Sequence, residues 1–121
     1  MSEFYRYFKQ NMEAMGLAAP ESLYGTLQAA VASATTLIGQ VEKFGPRVTV
    51  HELIGAGSKL EFLGTAAACS AAFYVGAVIG SIAVATGRSV AGGVTIADVM
   101  FTADQHNLNR PWLFQALVNG R

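Results

Sequence analysis

The stretch "GTAAACSAAFYVGAVIGSIAVATG", residues 64–87, contains no charged residue and has the composition of one long apolar helix. A helix that is apolar all round is satisfied in two environments, the centre of a helical bundle or a bilayer. Fold and function both turn on which of these it occupies. Taken from Phe62, the segment 62–87 is long enough to reach ~39 Å at about 1.5 Å per residue, more than the ~30 Å thickness of bilayer hydrocarbon. It is therefore read as a candidate transmembrane or central helix that would cross with tilt. Lys59 and Glu61 before it and Arg88 after it supply polar ends.

Small residues recur every four positions along this segment: Gly64, Ala68, Ala72, Gly76 and Gly80. They form a flat groove, a glycine zipper, that lets two helix backbones approach closely. In lipid, where no hydrophobic drive brings helices together, such close packing takes its place. Phe73, Val75, Val78, Ile79, Ile82 and Val84 cover much of the remaining circumference. The large apolar side chains sum to about −4 kcal/mol on the insertion scale. Glycines and hydroxyls erode that sum, so insertion is marginal. Ser70 and Ser81 are candidate pore-lining positions, and Glu61 and Arg88 are candidate mouth positions.

The chain of 121 residues is one domain's worth and is read as a single helical domain, 1–121. It is 52% hydrophobic and 13% charged, about half the charged fraction usual for a globular domain, with a mean hydropathy of +0.37. Eight basic residues balance eight acidic ones. No long-range field therefore collects phosphates, and nucleic acid is not expected as a partner. The single cysteine, Cys69, forms no internal disulfide and lies among apolar residues, where a thiol behaves as a small hydrophobe. The beginning, "MSEFYRYFKQNMEAMG", lacks the basic-then-apolar pattern of a secretory signal. The expected location is cytoplasmic before export or insertion.

Amphipathic helices flank the apolar segment. Phe4, Tyr5, Phe8, Met12 and Met15 recur at three- and four-residue spacing, with Arg6, Lys9, Gln10 and Glu13 toward water, and Gly16 ends the helix. Pro20 and Glu21 announce a second helix, whose apolar stripe from Leu23 to Val41 runs until Gly45 and Pro46. Thr49 and Glu52 stand in the S/T-x-x-E spacing of a capping box, and Thr95 and Asp98 in a similar one, after which Ile96, Val99, Met100 and Ala103 share one apolar face. Gly55 and Gly57 suggest a hinge before the apolar helix. "RVTV", 47–50, is the one stretch that could be strand. At the end, Asn109 and Pro111 open a short helix presenting Trp112, Leu113, Leu117 and Val118. The fold class is all-α, with about five helices around the apolar one.

Catalytic chemistry is thin. His51–Glu52 and the Asp104–His106 run are the only acid–imidazole neighbours, and one cysteine with two histidines makes no metal cluster of known spacing. "GAGSKLEFLG" follows no strand and lacks the order of a phosphate-binding loop. No enzyme activity, cofactor or metal is expected.

A chain without a signal pattern, nearly neutral, with one glycine-zipper apolar helix between amphipathic ones, resembles the small pore-forming antibacterial effectors delivered by type VI secretion systems. The resemblance rests on Gly64, Ala68, Ala72, Gly76 and Gly80 and on the general layout. It implies transport in a folded state and insertion into the inner membrane of a target cell. There it implies oligomerisation through the groove and ion leakage, with a cognate immunity protein in the producer. The competing expectation is a soluble all-helical interaction or adaptor protein whose Ala/Gly-rich helix is simply its core.

Overall fold

The computed structural model describes residues 2–55, 69–87 and 93–119. Every regular element among them is a helix: α1 (Glu3–Ala14), α2 (Glu21–Tyr24), α3 (Leu27–Phe44), α4 (Val50–Gly55), α5 (Ala71–Ala85), α6 (Ile96–Gln105) and α7 (Leu113–Asn119). The all-α expectation holds, with seven helices described where about five were expected. α5 is central and packs against α1, α3, α6 and α7.

Local chemistry sets most helix ends. Ser2 caps α1 by accepting from the Tyr5 amide, and α1 closes in a Schellman motif. There the Leu17 amide donates to Met12 O at 3.0 Å and the Gly16 amide to Glu13 O at 2.9 Å, a turn that needs the positive φ of Gly16, 72°. Asn107 plays the glycine's part after α6 at φ 57°, and the Leu108 amide reaches back to Ala103 O at 2.8 Å. Both predicted capping boxes form. The Thr49 amide donates to Glu52 Oε1 at 2.9 Å while Thr49 Oγ1 accepts from the Glu52 amide at 3.1 Å, and Thr95 and Asp98 exchange the same pair of bonds.

The stripe expected as one helix from Leu23 to Val41 is two. Thr26 takes an extended conformation and caps α3 by accepting from the Ala29 amide at 3.1 Å. The Ser33 hydroxyl binds Leu23 O at 2.7 Å and that of Ser2 binds Gly25 O at 2.8 Å, which holds the break. In the "RVTV" stretch only an isolated antiparallel bridge forms, Thr49 with Ser70. The Val50 amide donates to Cys69 O at 3.1 Å and the Ala71 amide to Val48 O at 2.8 Å.

That bridge changes the reading of 62–87. Ser70 is extended (φ −67°, ψ 146°) and its side chain accepts from the Phe73 amide, so α5 starts at Ala71 and spans 15 residues, about 22 Å at 1.5 Å per residue. The helix is not continuous across Cys69 and Ser70. Residues 62–68 lie outside the described residues. Among those described, no helix is long and apolar enough to cross a membrane.

Candidate functional site: the small-residue face of the central helix

α5 carries no charged residue, and twelve of its fifteen residues are buried, which leaves Phe73, Val84 and Ala85 partly exposed. The amphipathic helices around it turn their apolar stripes inward. Tyr5, Phe8 and Met12 of α1, and Ala34, Leu37, Ile38 and Val41 of α3, are all buried. Phe8 stacks on Tyr24 at 4.8 Å between ring centroids. A helix apolar round its whole circumference is thus enclosed by helices apolar on one side only.

The small-residue groove can be followed over three of its five positions. Ala72, Gly76 and Gly80 lie on α5 and are buried, whereas Gly64 and Ala68 lie outside the described residues. What faces the two glycines comes from the C-terminal helices. A Cβ built on Gly76 would stand 2.5 Å from Leu117 Cδ2, and one on Gly80 would stand 3.4 Å from both Val94 Cγ1 and Val99 Cγ2. α6, its approach and α7 therefore occupy the groove. Beside this seam runs an apolar cleft of about 150 Å³, lined by Gly76, Ala77 and Gly80 with Asn11, Met15, Ile96, Val99 and Leu117 among others.

The hydroxyls assigned to a pore lining have partners in this fold. Ser81 is fully buried and its Oγ accepts from Asn11 Nδ2 at 2.9 Å. Ser70 serves as the cap of α5. Tyr74 donates to Ala18 O at 2.6 Å and accepts from the Tyr24 hydroxyl at 3.3 Å, and Tyr5 donates to Ala19 O at 2.6 Å. Burial raises the pKa of Tyr24 and of Tyr5, so both rings remain neutral donors. The mouth residues Glu61 and Arg88 lie outside the described residues, as does Gly57 of the hinge expected at Gly55 and Gly57. The structure brings together Ala72, Gly76, Gly80 and Ser81 along α5, with Ser70 at its start.

The groove's cover was not read from sequence. Leu117 and Val99 were assigned to apolar faces, but nothing in their spacing says which helix they meet. Asn11 carried a usable signal: it lies three residues after Phe8 and four before Met15, a polar side chain on an apolar stripe, which implies a polar partner inside. Ile96, expected on the buried side of α6, is 39% exposed. Asn109 does not cap the last helix, its amide donating to Asp104 Oδ1 at 2.7 Å, and α7 begins beyond Trp112.

Of the acid–imidazole neighbours, Glu52 is spent on its cap, where the hydrogen bonds from the Thr49 amide and hydroxyl hold its carboxyl below the ordinary range. Among the described residues no three His, Cys, Asp or Glu side chains gather as a metal site would require. No family model, curated protein or solved structure matches the chain.

Proposed function

We propose that this chain is a membrane-inserting, oligomerising pore former that carries its apolar helix folded inside a bundle, as the resemblance to small type VI effectors implies. One observation supports it above others: α5 is uncharged and apolar round its whole circumference, a character that a bilayer satisfies as well as the centre of a bundle does. Insertion would give up the Val50–Cys69 and Ala71–Val48 backbone bonds and extend the helix toward Phe62 to reach spanning length. Ala72, Gly76 and Gly80 would then pack copies together, with Ser70 and Ser81 along the lumen and Glu61 or Arg88 at a mouth. The site of action would be a target cell's inner membrane, and the producing cell would carry an immunity protein.

The experiment is dye release from vesicles of phosphatidylethanolamine and phosphatidylglycerol, comparing the natural chain with Gly76→Leu/Gly80→Leu. Leucine raises hydrophobicity while blocking backbone approach. The variant should still bind vesicles yet release little dye and form no cross-linked oligomer. Full release by the double variant would remove the zipper from the mechanism.

A second reading, a helical interaction protein, is favoured by the outer face of α7, where Phe114 and Val118 are 52% and 54% exposed beside a shallow pocket that includes Met100, Arg110 and Pro111. A purified chain that stays monomeric and leaves vesicles intact at every concentration would put this reading first.

A further inference from the structure

We draw no further inference here: the strongest candidate, the exposed apolar face that Phe114 and Val118 form on α7 beside the shallow pocket of Met100, Arg110 and Pro111, carries no proposal because nothing in the structure shows what covers it.

Discussion

Asn11 and Ser81 show what a polar atom requires inside this bundle. The Ser81 hydroxyl sits in the middle of an apolar helix and is fully buried, and the Asn11 amide 2.9 Å away satisfies it. Replacing Asn11 with Leu should cost about 1–2 kcal/mol, because the Ser81 oxygen loses its donor while remaining out of water. Asn11→Leu/Ser81→Ala should recover part of that loss, since both partners of the bond are then gone. Urea unfolding of the four chains in a double-mutant cycle measures it, and equal midpoints for the two variants would show the bond to be idle. Glu52 poses a different question, of charge. Its folded carboxyl lies below its ordinary value because the Thr49 amide and hydroxyl bind the charged form, so its contribution is present above the ordinary carboxylate range and lost as pH falls through the folded pKa. Glu52→Gln should therefore lower the melting temperature at pH 7, and the gap should close as pH drops below that range. A gap that widened on acidification would contradict the cap. The two residues also differ in how far sequence reveals them. The Thr49–Glu52 box is written in four consecutive residues, whereas the Asn11–Ser81 bond joins positions 70 apart and only its need, not its partner, could be read.

At the scale of elements, glycines in helices have opposite roles according to what surrounds them. Gly39 lies in α3, exposed, with nothing within 4 Å of an added Cβ. Gly39→Ala should stabilise the protein by about 0.5–1 kcal/mol, the ordinary helix cost of glycine. Gly76→Val should instead cost about 1–3 kcal/mol, because Leu117 occupies the space. Thermal unfolding followed by circular dichroism compares them, and two shifts of the same sign would contradict the packing described for Gly76. The same contrast explains what was legible among the helices. Periodicity gave α1 and the boxes gave the starts of α4 and α6, because those signals are local. The breaks at Gly25–Thr26 and at Cys69–Ser70 were hidden within apolar or helix-compatible runs. A threonine cap, two serine hydroxyls and a single β-bridge decide them, and the bridge takes its other partner from Thr49. A segment uncharged over 64–87 reads as one helix until a distant residue claims its start.

For the whole molecule, the pore reading predicts how a cell would respond. Without charged side chains along α5, a lumen formed from that helix would be lined by small residues, the Ser70 and Ser81 hydroxyls and backbone carbonyls. Such a lining offers no ring of charge to select strongly between cations and anions. Copies joined through a groove of glycines approach closely, which favours a narrow assembly over a wide one. Small ions should cross and proteins should not. Expression of the chain with a signal that delivers it to the bacterial inner membrane should therefore collapse the membrane potential, read by a potential-sensitive dye, while a cytoplasmic reporter enzyme stays inside the cell. Gly76→Leu/Gly80→Leu, present at the same level in the membrane fraction, should leave the potential near normal, since partition into lipid would persist and assembly would not. Release of the reporter together with the potential would indicate general lysis in place of a narrow pore. A normal potential and normal growth, with the natural chain confirmed in the membrane fraction, would end the pore reading and leave the exposed face of α7 as the surface through which this bundle acts.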